Sequence, residues 1–252
     1  MRIARTLVDG VATWIGAEGP DAPWRPIADP YAAFAAGADP APLGEALAGV
    51  AADGPELLAP CAPLAIVGIA QNRTQNDHPL PVQGWLKSPR TVVASGVPVD
   101  ARRDAGRLVV EAELALVVGS DLFQASVDEA MAGILGYTAV NDVSYPDRSL
   151  VDQRNFEAKG GIGATPLGPW IETGPIGDVP IRMTVGGVDV VDTTSGALPV
   201  SLAECVAYVS HWLPLGPGDV IMTGAPFSNA PAQPGDRVDI RVGDVSLTTQ
   251  LH

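Results

Sequence analysis

Residues 109–119 read VVEAELALVVG. Valine, leucine and alanine fill nearly all of the segment, which is the composition of a buried strand. Glu111 and Glu113 stand in its middle, one residue apart. An ionised carboxylate is costly to bury unless something compensates it, so any fold of this chain has to supply that compensation. Strand side chains alternate faces. Val110, Ala112, Leu114, Leu116 and Val118 then form one apolar face, and both glutamates share the other. Two like charges so close repel, and a cation held between them removes the conflict. The alternative is that the glutamate face meets water, although Val109, Ala115 and Val117 on it match solvent poorly.

The chain around this segment is 252 residues long, enough for one large domain or one domain with a small appendage. It is 46% hydrophobic and 17% charged, a globular composition. Its 28 Gly and 24 Pro point to many turns and short strands. A formal charge of −14 argues against a nucleic-acid partner. The N-terminus has no long apolar stretch of the secretory kind, and no run of 18 apolar residues occurs. A soluble cytoplasmic protein with no membrane association is expected. Cys61 and Cys205 make neither a disulfide framework nor a CxxC zinc motif, and His78, His211 and His252 are too scattered for a multi-histidine metal site. The basic residues are 13 Arg and two Lys, Lys87 and Lys159, which singles out the two lysines.

The first thirty residues suggest a hairpin unit turning at Asp9-Gly10 and Gly16–Gly19. Helical spacing predicts a helix over 41–53, and a domain boundary is placed near residue 60, giving 1–60 and 61–252. Strands are expected within 64–70 and at 91–95, 107–118 and 136–141. Further strands follow near 168–172, 180–185 and 187–192 and in two C-terminal segments. Ser126 is expected to cap a helix over 127–135, and Ser201 another, with Glu204 in the capping-box position. Strands outnumber helices without regular alternation, which favours a β-rich α+β fold over a doubly wound sheet. The polar, proline-containing loop 71–84 is expected to act as a lid.

A cation between the glutamates needs further oxygen ligands, and the next candidate is Asp142 in GYTAVNDVS. Oxygen-only ligation suits Mg²⁺ or Mn²⁺ better than zinc. At this point the chain resembles the fumarylacetoacetate hydrolase superfamily. The resemblance rests on ordered segments spanning most of the chain: WLKSP at 85–89, EAELALVVG at 111–119, GYTAVNDVS at 136–144, EAKGGIGATPLGPWI at 157–171 and LGPGDVIMTGAP at 215–226. It implies a mixed β-roll core with a small N-terminal domain, in a homodimer. It also implies Mg²⁺ or Mn²⁺ held by Glu111, Glu113 and Asp142. The family's motif lysines correspond to Lys159, a catalytic candidate, and Lys87, a substrate-binding one. The implied substrate is a small 2-oxo or enol carboxylic acid, processed through a metal-bound enolate by decarboxylation, tautomerisation or C–C cleavage.

The chain departs from the family pattern at three places. Hydrolytic members carry a His and a Glu in the loop after the first core strand. Here that loop is GIAQNRTQNDHPLPVQ, with His78 as its single histidine and a catalytic candidate. Pro146 stands where the family has an arginine, and Arg148, two residues on, is the substitute candidate for binding substrate. The family's TGTP is TGAP here, so Gly224 and Ala225 line the substrate without the threonine hydroxyl. Two alternatives to the enolate reading therefore stand: a true C–C hydrolase of a diketo acid with His78 as base, and a catalytically inactive binding member. Elsewhere, Gly160–Gly163 reads as turn glycines and Ser210-His211 as a helix-surface pair. Trp24, Trp85, Trp170 and Trp212 read as packing residues, with Trp85 near enough to the active loop to touch substrate.

Overall fold

A computed structural model describes residues 1–47, 50, 57–70 and 82–252. His78, residues 71–81 of the expected lid and part of the expected 41–53 helix lie outside the described residues.

The glutamate-bearing segment forms the longest strand, Leu108–Val118, and it is central to a ten-stranded sheet. On one side it pairs antiparallel with Ile134–Asn141, with Leu114 opposite Ala139 and Ala112 opposite Asn141. Beyond that neighbour the sheet continues through Trp170–Thr173, Arg2–Val8, Val11–Ala17 and Arg25–Pro26. On the other side follow Val220–Met222, Ile66–Ile69 and the edge strand Gly84–Lys87. The long strand also pairs with Asn229–Ala232, which places Asn229 opposite Glu111. The N-terminal hairpin is thus hydrogen-bonded into the main sheet through Ala4 and Trp170.

A second sheet of five strands runs in the order Val188–Thr194, Pro180–Val185, Arg237–Val242, Val245–Leu251, Pro98–Val99. Its inward residues, among them Ile181, Ile240 and Leu247, share one core with Val110, Ala112, Leu114, Leu116 and Val118. Ala115 and Val117 belong instead to a second core with Ile3, Ile66, Ile171 and Met222. The long strand is therefore buried on both faces. This explains why its sequence is nearly all apolar instead of alternating, and the protein is a β-rich α+β fold.

Several elements differ from the sequence expectation. Residues 41–47 are not helical, and Pro42 instead bridges to Ile27. Pro40, Pro42 and Gly44 explain this, because a proline pushes its predecessor out of helical geometry. A short helix occurs earlier, at Pro30–Ala35, where Asp29 caps the Tyr31 N–H and Pro30 takes the first position. The helix expected over 127–135 is Val127–Ala130 plus a single 3₁₀ turn at Met131–Gly133. Ile134 already pairs with Val118 in the sheet, so burial of a β-branched residue outweighs helix propagation. The strand expected at 91–95 shrinks to Val92–Val93. The helix Leu202–Trp212 forms with the expected Ser201–Glu204 capping box, but Ser210 is buried beneath it and is not a surface residue. Its hydroxyl donates to the Ala207 carbonyl and accepts the Ala125 N–H. Trp212 is 73% exposed and does not pack in the core.

Candidate metal centre

Strand register assembles the site. Glu111 and Glu113 project from the same face of the long strand. Asp142 follows Asn141, the last residue of the neighbouring strand, and its backbone N–H donates to the Glu111 carbonyl at 3.0 Å. One residue beyond the Ala112–Asn141 pair, Asp142 thus lies across from Glu111. Oxygens from Glu111, Glu113 and Asp142 fall within 4.8 Å of one another. The turn after Val220–Met222 completes the arrangement. Gly224, at φ 101°, donates its N–H to Glu113 Oε2 at 2.8 Å. A residue with a side chain would be strained in that backbone conformation. Gly224 thus holds a carboxylate, and Ala225 lines the cavity in front of it.

Both lysines of the chain converge on the same cluster. Lys87 is buried and donates to Asp142 Oδ1 at 2.5 Å and to the Ala164 carbonyl at 2.6 Å. Lys159 donates to Asp142 Oδ2 at 2.5 Å, to Glu111 Oε2 at 3.0 Å and to Ser144 Oγ at 2.5 Å. Asp142 is therefore clamped between two ammonium groups. Burial pushes Glu111 above the ordinary carboxylate value despite the pull of Lys159, and pushes Glu113 well above it. Burial acts on Asp142 too, but Lys159 and Lys87 outweigh it and hold that carboxyl below its ordinary value. Desolvation lowers Lys87, which has one carboxylate partner. Burial also opposes the charge on Lys159, but Asp142 and Glu111 override it and hold that ammonium above its ordinary value.

A cavity of about 660 Å³ opens on the cluster, lined by Glu111, Glu113, Asp142, Lys159 and Ala225. Trp85 forms another wall, with Lys159 Nζ 5.3 Å from the centre of its indole ring. Arg148 is not brought to the carboxylates. It follows Pro146 on a short helix and pairs with Glu157, and Pro146 itself lines the cavity. Sequence reasoning passed over Ser144, whose hydroxyl receives Lys159 and whose place in NDVS was its one signal. It also passed over Gly68 and Asn229, whose positions in the wall come from strand pairing distant in sequence.

The donor set fits a hard divalent cation. In an octahedral shell with bonds of ~2.1 Å, oxygens stand about 3.0 Å apart when adjacent and about 4.2 Å when opposite. The oxygens of Glu111, Glu113 and Asp142, within 4.8 Å of one another, lie close to that range. With all three carboxylates ionised against two ammonium groups, the cluster would carry one negative charge in excess, which a cation would compensate.

The model of the fumarylacetoacetate hydrolase C-terminal family matches residues 61–251. A bifunctional 4-hydroxyphenylacetate-degradation isomerase/decarboxylase from Salmonella dublin is 34% identical over 66% of this chain and 40% of its own length. A 2,4-didehydro-3-deoxy-L-rhamnonate hydrolase from a Sphingomonas strain is 31% identical over 54% of this chain and 49% of its own. The chain thus spans less than half of each of these two relatives. The crystal structure of a 2-hydroxyhepta-2,4-diene-1,7-dioate isomerase from Mycobacterium marinum superposes with a TM-score of 0.88 at 29% identity, covering 100% of this chain and 98% of that one. With the family model matched over residues 61–251 and these relatives in agreement, the chain belongs to the fumarylacetoacetate hydrolase superfamily.

Proposed function

We propose that this protein is a divalent-metal-dependent enzyme that enolises a 2-oxo or enol carboxylic acid, with decarboxylation, tautomerisation or C–C cleavage as the outcome. The observation that carries the reading is the convergence of Glu111, Glu113 and Asp142 beside a protonated lysine in a cavity of substrate size. Mg²⁺ or Mn²⁺ held by the three carboxylates would supply Lewis-acid polarisation of the keto group. The protein's own residues supply the rest. Lys159 is the side chain placed to hydrogen-bond developing negative charge and to relay the proton that leaves and returns at C3, since an ion on Glu111 and Asp142 would compete with the pairs that hold it as an ammonium. Lys87 is deeper and acts by fixing Asp142. Residues 61–252 would form the catalytic unit, and a cytoplasmic homodimer is the proposed setting, the dimer being testable by sedimentation.

The test is deuterium exchange at C3 of small 2-oxo acids by the Mn²⁺-loaded protein. Exchange that disappears on chelation is expected. Lys159→Met should lower its rate by roughly 10²-fold, the range for a positioned acid–base group. Its melting temperature under saturating Mn²⁺ should stay nearly unchanged. No metal-dependent exchange with any acid tested would instead indicate a binding protein. His78→Ala is expected to leave both exchange and product formation intact. Loss of C–C hydrolysis alone in that variant would assign a hydrolase.

A further inference from the structure

Lys159 has three hydrogen-bond acceptors, and they are not equivalent. Glu111 and Asp142 belong to the acidic triad, and Ser144 does not. Ser144 is buried, and its backbone is fixed to the long strand by a reciprocal pair. Its N–H donates to the Val109 carbonyl and its carbonyl accepts the Val109 N–H, both at 2.9 Å. The Ser144 hydroxyl donates to the Asp142 backbone carbonyl at 3.0 Å, which leaves its oxygen lone pairs for the Lys159 ammonium at 2.5 Å. The next residue ties the loop carrying Lys159 to the same segment, because Tyr145 donates its N–H to the Ala158 carbonyl at 2.8 Å. The hydroxyl and the lysine backbone are thus held relative to one another by bonds in which no carboxylate takes part.

We propose that Ser144 is a positioning residue that keeps the Lys159 side chain at the site once a cation occupies the triad. The carboxylate lone pairs that accept Lys159 are those a cation needs, and a divalent ion repels an ammonium beside it. Of the three acceptors, Ser144 alone is neutral and outside that competition. The Trp85 ring, with its centre 5.3 Å from Nζ, also attracts the charge. It does so over a broad face, whereas a hydrogen bond fixes a direction. Without the hydroxyl, a loaded site would leave the flexible four-carbon stem of Lys159 free to swing into the cavity. The metal-free protein would hide this loss, since the two carboxylates still hold the nitrogen. This assignment rests on the metal-dependent function proposed above.

The composition of the chain gives a direct readout, since Lys87 and Lys159 are its only lysines. With lysine labelled by ¹³C at Cε, nuclear magnetic resonance shows one methylene signal for each, assigned with Lys159→Met. A fixed side chain gives its two methylene protons distinct shifts, and one that changes rotamer rapidly gives an averaged shift. In the full-length protein saturated with diamagnetic Mg²⁺, Lys159 should be fixed in the wild type and in Ser144→Thr, which keeps the hydroxyl. It should be averaged in Ser144→Ala. In metal-free Ser144→Ala it should remain fixed, and the Lys87 signal should match that of the wild type in each state, which verifies folding. Deuterium exchange at C3 by Mg²⁺-loaded Ser144→Ala should show kcat about tenfold lower, the loss of one hydrogen bond to a charged group, with KM little changed. Three results would each overturn the assignment while Mg²⁺ binding upholds the metal centre. These are a Lys159 that stays fixed in loaded Ser144→Ala, one already averaged in its metal-free form, and one averaged in loaded Ser144→Thr. Failure of the wild type to bind Mg²⁺ would overturn both.

Discussion

Glu113 is the most constrained of the three acidic residues. It sits in the strand interior, accepts one hydrogen bond from Gly224, and has neither lysine within ion-pair distance. Its carboxyl is held well above the ordinary value by burial first, and then by the charges of Asp142 and Glu111. A carboxyl shifted upward favours the fold while protonated, and that contribution is lost as pH rises through the shifted value. A cation reverses the balance because it requires the ionised form. Mn²⁺ affinity should therefore fall as pH drops from neutral toward 5. In Glu113→Gln the affinity should be lower throughout and its pH dependence shallower. Mn²⁺ should also give this variant little or no thermal stabilisation. Unaltered Mn²⁺ binding by Glu113→Gln in a titration would remove Glu113 from the ligand set.

At the level of elements, the edge strand Gly84–Lys87 is held by an uncommon cross-strand pair. Gly68 lies opposite Trp85, and a β-carbon on Gly68 would collide with the indole ring. The missing side chain lets the ring lie flat over the strand, where it walls the cavity beside Lys159. Gly68→Ala should lower stability by about 1–3 kcal/mol, the usual cost of overpacking. It should cost clearly less in a Trp85→Leu background, since contacting residues are not additive. Equal costs in a double-mutant cycle would show that the two residues do not interact. The long strand is the other decisive element. Its even-numbered residues face the five-stranded sheet, while Ala115 and Val117 seal the opposite face and leave its Val109–Glu113 end open to the cavity.

Over the whole molecule, the two thiols report on how completely the cores close. Cys61 belongs to one core and Cys205 to the other, and both are buried. Burial pushes each thiol up to about 12 from 9.0. Each therefore favours the fold while protonated, and that contribution is lost as pH rises from about 9 to about 12. Below pH 9 iodoacetamide should modify neither thiol in the native protein and both in denaturant. Rapid native labelling of Cys205 would show that the helix Leu202–Trp212 opens on its own. Among the described residues no helix is long and apolar enough to cross a membrane.

Much of the site was legible in the chain because its signals are local. Two carboxylates at period two in an apolar run and an aspartate just after the next strand point to the acidic cluster before any coordinates, and the family resemblance adds the two lysines of an arginine-rich chain. The capping box at Ser201 was legible for the same reason, since its partners are three residues apart. Only tertiary structure decided what depends on distant pairing. The short helix after Ser126 yields to the sheet, Ser210 turns inward, Trp212 stays in solvent, and Gly68 meets Trp85 across a strand pair. Arg148 pairs with Glu157, away from the acidic triad, because Pro146 starts a helical turn there. Periodicity states which residues share a face; which face meets which neighbour is set by burial summed over the whole chain, and no local window contains that sum.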